Sequence, residues 1–338
     1  MQRRLFSQLL AAGLLLPNAV LTALAEDLIA QNGRLPAANK IHRVFAAGAP
    51  AMVFLYALAP EKLLGFPTDL SANTRQYLHP NYAQLPAIGR LAGRGSTLSL
   101  EQLMVLQPDV IVDVGNANQT HRSAAQNIAS QTGIPTLQIA GNLAQTPEQL
   151  RQAGRLLGVE TRAEQLAQYA QGILQKAQQF KARQAQPVRF YHARLEHGLE
   201  TAVEASIHTE TYELLGLQNV VGKQANKGLV RVSLEQLLVW QPDYIFTEEL
   251  AFVQHAKTDP LWQQLNAVQA GQIYCAPRLP FGWLDSPPSL NRLLGINWLM
   301  HQLSQPQHTT ELEQQVSDFY QLFYGVKLDG KTALSLQV

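Results

Sequence analysis

The segment Tyr191–Thr201 carries several side chains that bind charged groups: one tyrosine, one arginine, two histidines and two glutamates. It follows an apolar run at 188–193 that predicts a strand. Ligands of parallel α/β sheets lie beyond the carboxyl ends of the strands, so we expect Tyr191 and Arg194 to face a cleft. Arginine presents a planar, permanently charged fork that suits carboxylate, phenolate or oxyanion groups. The alternative for each residue is a solvent-exposed loop.

Three further positions carry candidate ligand-binding side chains. His208 lies at a predicted helix start, where an anionic group is favoured. Trp283, held between glycine and prolines before a predicted helix, is expected to form a flat apolar wall, with core packing as the alternative. Arg90, in a glycine-rich loop, is the charged candidate of the first half, and its alternative is a solvated arginine.

A directly bound metal ion is the weaker interpretation of the same region. The residue types that could bind one are His192, His197, Glu200, Glu204 and His208. Their spacing matches no closed zinc pattern. We therefore predict no resident metal ion or other cofactor, with His192 and His197 as the candidates for direct ligation if one is present.

One thirteen-residue pattern occurs in each half of the chain. Ser99–Ile111 reads SLEQLMVLQPDVI and Ser233–Ile245 reads SLEQLLVWQPDYI, with ten of thirteen positions identical. Serine followed three residues later by glutamine predicts a capping box, and Glu101 or Glu235 favours the positive end of each helix. The predicted core faces are Leu100, Leu103 and Leu106, and Leu234, Leu237 and Trp240. Capping alone explains this pattern; a role of the two glutamates in docking a partner is the second interpretation.

Nearly continuous apolar segments alternate with helical ones, as in parallel sheets covered on both faces. Predicted strands lie at 43–47, 62–66, 110–114, 136–139, 188–193, 244–247 and 273–276, and predicted helices at 119–132, 289–303 and 311–324. Apolar residues from 166 to 180 at spacings of three and four predict one long helix of about 33 Å. The sequence thus predicts an α/β fold with two Rossmann-like lobes, each with a central, mainly parallel sheet. A single long interdomain helix joins the lobes, which should move little, and the ligand cleft lies between them.

The predicted boundaries are a signal peptide at 1–25, an N-terminal lobe at 26–158, the interdomain helix at 159–185 and a C-terminal lobe at 186–338. Arg3-Arg4, an apolar stretch and Ala23-Leu24-Ala25 predict a cleavable export signal of the Sec or twin-arginine type. The only cysteine, Cys275, is far from that site, so no lipid anchor is expected. We expect a periplasmic protein.

Composition and motifs exclude other classes. With 338 residues, 46% of them hydrophobic, the chain can form two cores, and a net charge of +1 without basic runs gives no support to a nucleic-acid partner. The sequence has no G-x-S-x-G and no H-E-x-x-H. Five residues lie between the glycines of Gly216–Lys223, where a phosphate loop has four, and Gln224 replaces its Ser or Thr. We do not expect an enzyme.

Together, the export signal, the two lobes, the single long helix and the duplicated S-L-E-Q-L-x-x-x-Q-P-D pattern resemble the class III periplasmic binding proteins of ABC importers for iron-siderophore complexes, haem and vitamin B12. The resemblance covers about residues 41–324. It implies that Glu101 and Glu235 form salt bridges with arginines of a permease dimer in the inner membrane. It also implies that Trp283 touches the ligand.

The resemblance and the arginines together favour a ferric siderophore as the transported ligand, which would contain Fe³⁺ and be carried by a monomer. Its expected site residues are Arg90, Tyr191, Arg194, His208 and Trp283. The alternatives are a molybdate or tungstate oxyanion and a haem or cobalamin ligand in the same class of protein. A metal-dependent enzyme is the remaining alternative.

Overall fold

The computed structural model describes residues 28–93, 95–116, 118–224, 228–304, 309–329, 332 and 336. The strands are β1 (Ile29–Asn32), β2 (Val44–Ala46), β3 (Val110–Gly115), β4 (Thr136–Ala140), β5 (Arg189–Ala193), β6 (Glu200–Ala202), β7 (Gln218–Asn219), β8 (Leu229–Arg231), β9 (Tyr244–Thr247) and β10 (Ile273–Cys275). The predicted signal peptide lies outside the described residues.

The helices alternate with these strands through most of the chain. They are α1 (Ala49–Leu58), α2 (Ala72–Arg75), α3 (Pro80–Ala83), α4 (Leu100–Val105), α5 (Gln119–Thr132), α6 (Thr146–Leu157), α7 (Glu160–Arg183), α8 (Glu210–Glu213), α9 (Leu234–Trp240), α10 (Leu250–Thr258), α11 (Asn266–Gln269), α12 (Arg292–Leu303) and α13 (Thr309–Phe319), which continues as a π-helical turn at Tyr320–Tyr324. Among the described residues, no helix is both long and apolar enough to cross a membrane.

The main sheets of the two lobes share a triplet of parallel strands in the same order. The first sheet has the order β1-β4-β3-β2, in which β2, β3 and β4 are parallel and β1 is antiparallel to β4. The second has the order β10-β9-β5-β7 and is parallel throughout. The triplets β4-β3-β2 and β10-β9-β5 correspond, and the repeated helices α4 and α9 precede the central strand of each. The predicted α/β fold with two related, mainly parallel sheets is confirmed.

The repeated sequence has the same local structure in both lobes. Ser99 and Ser233 each form a complete capping box with the glutamine three residues later. Leu103 and Leu237 are fully buried, while the other predicted core residues of these helices are half-buried. Each helix ends at a glutamine with a left-handed φ, 45° at Gln107 and 43° at Gln241. The left-handed residue reverses the chain so that the following Pro-Asp enters the central strand.

The aspartate of each repeat ties that strand entry to the neighbouring strand. The Asp109 carboxylate accepts hydrogen bonds from the backbone N–H groups of His42 and Arg43, both at 2.8 Å. In the second lobe, Asp243 accepts from the backbone N–H of Arg189, also at 2.8 Å. The Pro-Asp pair therefore has a structural role. The glutamate of each repeat has no structural role other than its place at the start of the helix.

Helix α7 spans 24 residues, about 36 Å, and packs on α1 from the first lobe and α12 from the second. Its apolar face belongs to a hydrophobic core that runs through both lobes. That core includes Val112 of the first sheet and Phe190 and Phe246 of the second. Separating the lobes would expose this shared core to water, which is unfavourable.

A buried arginine strengthens the same junction. The Arg292 guanidinium donates to the Gly141 carbonyl at 2.7 Å, to the Ile207 carbonyl at 2.6 Å and to the Glu210 carboxylate at 2.9 Å. Glu210 in turn accepts from the backbone N–H of Leu143 at 2.9 Å. The pair thus joins the carboxyl end of β4 to the second lobe.

Two sequence expectations differ from the structure. The segment 62–66 is not a strand; only isolated bridges at Leu63 and Phe66 pair with neighbouring chain. A 3-10 turn at Pro60–Lys62 occupies its start and a bend at Pro67 and Thr68 follows it. Helix α1 was not foreseen, because its residues from Ala51 to Leu58 are all buried and show no amphipathic period.

Replacing Arg292 with alanine should destabilise the protein strongly, because Glu210, with only 20% of its side chain accessible, would lose its cation. Breaking a buried pair in this way costs about 3–5 kcal/mol, so the midpoint of urea unfolding should fall well below that of the wild type. Arg155→Ala is the matched control, since its pair with Glu148 is exposed, with 57% and 36% of the two side chains accessible. Equal midpoints for the two variants would contradict the role of Arg292.

Candidate functional site

A cleft of about 570 Å³ lies where the two lobes face each other. Its walls come from the chain just beyond the carboxyl ends of β2, β3, β5, β9 and β10, as expected for parallel α/β sheets. The first lobe contributes Gly48, Ala49, Pro50, Arg90, Ala92, Gly93, Asp113, Val114, Gly115, Asn116 and His121. The second contributes His192, Ala193, Arg194, Leu195, Ile207, His208, Leu229, Glu248, Glu249, Arg278, Asp285, Ser286, Pro287 and Pro288.

Three arginines from the two lobes line the cleft. Arg90, half-buried in the first lobe, is held by a hydrogen bond from Nε to the Gly95 carbonyl at 3.0 Å. Arg278 in the second lobe pairs with Glu249 at 2.6 Å and keeps half of its side chain exposed. Arg194 is more enclosed, with 13% of its side chain accessible. Guanidinium groups thus approach the cleft from both sides.

Arg194 belongs to a buried network with two acidic residues and a histidine. Its guanidinium contacts the Asp285 carboxylate and lies 3.5 Å from the Glu200 carboxylate. The second Asp285 oxygen lies 2.6 Å from His208 Nδ1. Because Asp285 is fully buried, the network fixes the positions of the Arg194 and His208 side chains at the cleft.

His192 and Glu248 form the floor of the second lobe and are both nearly inaccessible to solvent. Burial lowers the pKa of His192 well below its usual value, and the charges of Arg194 and His208 lower it further. Burial raises the pKa of Glu248, and the Leu284 backbone N–H, the nearby Ser286 side chain, and the charges of Arg194 and Arg278 partly offset this effect. Burial thus disfavours the charged form of both groups.

The floor of the first lobe carries Asp113 at the end of β3. Burial raises the pKa of this carboxyl, and the nearby His121 partly offsets the effect. His121 itself is exposed, and its Nδ1 lies 2.7 Å from the Asn118 side-chain oxygen. Each lobe therefore places a carboxyl of raised pKa at the base of the cleft.

Of the predicted ligand-binding residues, Arg90, Arg194 and His208 line the cleft together. His192, considered as a metal ligand, also lines it. His197 does not; its ring lies 6.0 Å from that of His255 in an edge contact elsewhere. Among the described residues, no group of three or more histidine, cysteine or acidic side chains is arranged to hold a metal ion.

The two predicted aromatic residues are not at the cleft, and the expectation is corrected for both. Tyr191 and His192 are consecutive in β5 and so point to opposite faces of the sheet. The Tyr191 ring is buried in the second-lobe core, and its hydroxyl donates to the Gly198 carbonyl at 2.7 Å. Trp283, 1% exposed, packs in the core that joins the lobes, its backbone carbonyl against Gly295 of α12.

Sequence reasoning did not identify Asp113, Glu248, Glu249, Arg278 or Asp285 as cleft residues. Glu248 and Glu249 directly follow the predicted strand 244–247, and Arg278 follows 273–276 by two residues. The rule that placed Arg194 at a strand end would have found these three. Asp285 had no such signal, because it reaches the cleft through the path of a loop.

Glu101 and Glu235 are exposed and are not among the residues that line the cleft. The pKa of each carboxyl is lowered, first by the capping serine side chain and then by a backbone N–H. Both therefore present a negative charge on the outside of the molecule, one from each lobe.

Comparison with known proteins identifies the family. A family model described as periplasmic binding protein matches residues 55–278. The Fe(3+)-citrate-binding protein YfmC of Bacillus subtilis is 26% identical over 193 residues, 55% of this chain and 59% of that protein. The match therefore spans less than two thirds of this relative. The molybdate-binding protein MolA of Haemophilus influenzae is 26% identical over 282 residues, 75% of this chain and 78% of that protein.

The fold is also that of a solved relative. An ABC transporter solute binding protein from Sulfurospirillum deleyianum superposes with a TM-score of 0.81 at 28% identity, covering 89% of this chain and 95% of that one. The family match extends from within α1 through α7 past the end of β10, and so includes β3 and β4 of the first sheet and all four strands of the second. The chain belongs to the class III periplasmic binding proteins of ABC importers.

Proposed function

We propose that the protein is an exported solute receptor that binds a compact anionic metal chelate in the cleft and delivers it to an ABC permease in the inner membrane. The observation that carries this proposal is the convergence of Arg90, Arg194 and Arg278 from two lobes on one cleft. Guanidinium groups suit carboxylate and other oxyanion ligands, because they offer paired hydrogen-bond donors and a permanent charge.

The size of the cleft supports a chelate. Its volume of about 570 Å³ falls within the range of roughly 300–1,000 Å³ that is typical of pockets for small organic ligands. A tetrahedral oxyanion would fill only a small part of this space. A metal ion wrapped by one or two polycarboxylate molecules would reach both walls.

The lining chemistry narrows the class of chelate. Among the described lining residues, no phenylalanine, tyrosine or tryptophan is present. A planar macrocycle such as haem usually gains affinity from stacking on apolar or aromatic surfaces. The cleft is therefore better suited to a polar chelate with carboxylate groups than to haem or cobalamin, and within the siderophores it favours the carboxylate type. The iron-citrate relative is consistent with this assignment.

A molybdate-type oxyanion is the second candidate. The molybdate-binding relative aligns with 75% of this chain, which is a longer match than that of the iron-citrate relative. Arginine and neutral histidine side chains could donate hydrogen bonds to such an anion. The rival therefore differs from the main proposal in ligand size and colour, but not in the sign of its charge.

Titration of the ligand-free protein with ferric citrate, sodium molybdate, haem and cobalamin will separate these ligands. We expect ferric citrate to bind with one complex per chain in native mass spectrometry and to give the bound protein a visible absorption band. Binding of molybdate alone would leave the protein colourless and favour the rival. Preferred binding of haem or cobalamin would contradict the argument that a cleft lining without aromatic side chains favours a polar chelate.

Arg90→Ala and Arg278→Ala should each weaken ligand binding, because each removes a charged donor from one wall of the cleft. The loss of one charge-assisted hydrogen bond is worth about 1.5–3 kcal/mol, or roughly a 10- to 100-fold increase in Kd by calorimetry. Arg183→Ala is the matched control, since Arg183 is exposed at the end of α7 and does not line the cleft. An increase in Kd of the same size in the control would contradict the assignment.

We also propose that Glu101 and Glu235 dock the protein on paired arginines of the permease. Replacing both with alanine should leave the Kd for the ligand unchanged, because neither residue lines the cleft, and should lower uptake by cells and binding to the purified permease. Exposed ion pairs contribute about 0–1 kcal/mol each, so the effect falls mainly on orientation and association rate. Glu61→Ala with Glu196→Ala, one exposed glutamate from each lobe, is the control pair. Loss of ligand affinity in the docking variant would contradict this role.

A further inference from the structure

Three side chains project from adjacent strand ends toward the same side of the second sheet. In the parallel pair β5 and β9, His192 is opposite Phe246 and Ala193 is opposite Thr247. Side chains alternate between the two faces of a sheet. His192 and, two residues later, Arg194 therefore share a face with Glu248, and all three line the cleft.

Two of these buried side chains have an atom with no hydrogen-bond partner among the described residues: His192 Nδ1 and Glu248 Oε2. Buried polar atoms are nearly always paired, because an unpaired one costs the full desolvation of that group. Both residues lie on the floor of a cleft that must admit a ligand. The two atoms are themselves enclosed by protein, so a ligand atom that meets them after a small side-chain rotation is a candidate partner for each.

The rest of the Glu248 side chain is already used in the fold. Oε1 accepts the backbone N–H of Leu284 at 2.8 Å and lies 3.4 Å from that of Asp285. These bonds hold the loop that carries Asp285 and Ser286 against the cleft. Since Oε1 acts as an acceptor, a proton on this carboxyl would reside on Oε2, which then becomes a donor.

We propose that His192 and Glu248 form a buried subsite for an anionic oxygen of the ligand, in which Nδ1–H of His192 and the protonated Oε2 of Glu248 both donate to that oxygen. This inference deepens the proposed function of the cleft and rests on it. The class of group bound is an oxyanion oxygen, whether it belongs to a carboxylate of a chelate or to an oxometalate. Arg194, fixed by Asp285, adds positive charge beside it.

The surroundings of Glu248 favour its protonated form, since burial raises its pKa. The charged and titratable groups around it come from every neighbouring element: His192, Arg194, His208, Tyr212, Glu249, Cys275, Arg278 and Asp285. Arg194 is paired with Asp285, and Arg278 with Glu249. Deprotonation of Glu248 would thus place an additional negative charge against the bound anion.

The direction in which affinity changes with pH follows from the protonation of Glu248. Below the pKa of Glu248 in the ligand-free protein, affinity should not depend on this group. Above it, binding of an anion requires uptake of one proton, so the affinity should fall by up to about tenfold per pH unit. Glutamine in place of Glu248 keeps the Oε1 acceptor for the loop and always donates from the other atom, so this dependence should disappear.

The experiment is calorimetric titration of wild type, Glu248→Gln, His192→Gln and Glu196→Gln, from about pH 5 to about pH 9, with ferric citrate in one arm and sodium molybdate in the other. Glu196 is exposed in the same lobe and does not line the cleft, so its variant reports changes of the probe itself with pH.

We expect Glu196→Gln to follow the wild type and Glu248→Gln to lose the fall in affinity at high pH. His192→Gln should bind about 10- to 100-fold more weakly with the pH profile of the wild type. Melting temperatures of all variants check that the loop is retained.

The outcomes are distinct. If the Glu248→Gln profile runs parallel to those of wild type and Glu196→Gln, or if His192→Gln binds as tightly as wild type, the subsite is overturned while the solute-binding role stands. If neither probe binds the wild type, the proposed class of anionic ligand fails and the subsite with it. If only one arm shows the effect, that arm identifies whether the oxygen belongs to a carboxylate or to an oxometalate.

Discussion

The structure depends on holding the carboxyl ends of two separate parallel sheets opposite each other. The shared hydrophobic core under α7 and the buried Arg292–Glu210 pair provide this constraint. Such a pair contributes little net stability compared with apolar packing, but separating its two charges costs several kcal/mol once it has formed. It therefore restricts the relative positions of the lobes. The more a cleft is ordered before a ligand binds, the less free energy binding must spend on ordering it.

The duplicated sequence made much of the fold predictable. Its serine and glutamine determine where each helix begins, the buried leucine positions that helix, and the aspartate pairs with the backbone that opens the adjacent strand. These are interactions over a few residues or between neighbouring strands, and their residue types are specific. Strands β3, β4, β5 and β9 could likewise be predicted from their apolar runs, because such a run is a local feature of the sequence. The left-handed glutamines could not, because no glycine or asparagine marks them.

The candidate site was only partly predictable, because strand direction is a local property and loop path is not. Arg194 and His208 come close to Asp285 through contacts between residues 77 or more positions apart in the chain. Trp283 shows the reverse case: a loop rich in glycine and proline suggests exposure, yet the loop folds inward over α12. Alternation along β5 also decides between Tyr191 and His192, and a one-residue error in register exchanges a core residue for a cleft residue.

The pairing of charges within the cleft determines which groups can respond to a ligand. Arg194 forms an ion pair with the buried Asp285, and moving Arg194 would leave the negative charge of that carboxylate without a partner cation. The Arg278 pair with Glu249 is half-exposed, so exchanging Glu249 for a ligand oxygen costs about 1 kcal/mol or less. Arg90 is anchored through Nε to a backbone carbonyl, which orients the rest of its guanidinium without neutralising it. Arg90 and Arg278 are thus the adaptable cations, one on each lobe, while Arg194 fixes the geometry of the floor. If both cations bind the ligand, as we propose, anionic groups on two sides of it would satisfy them, which a chelate offers more readily than a single small anion.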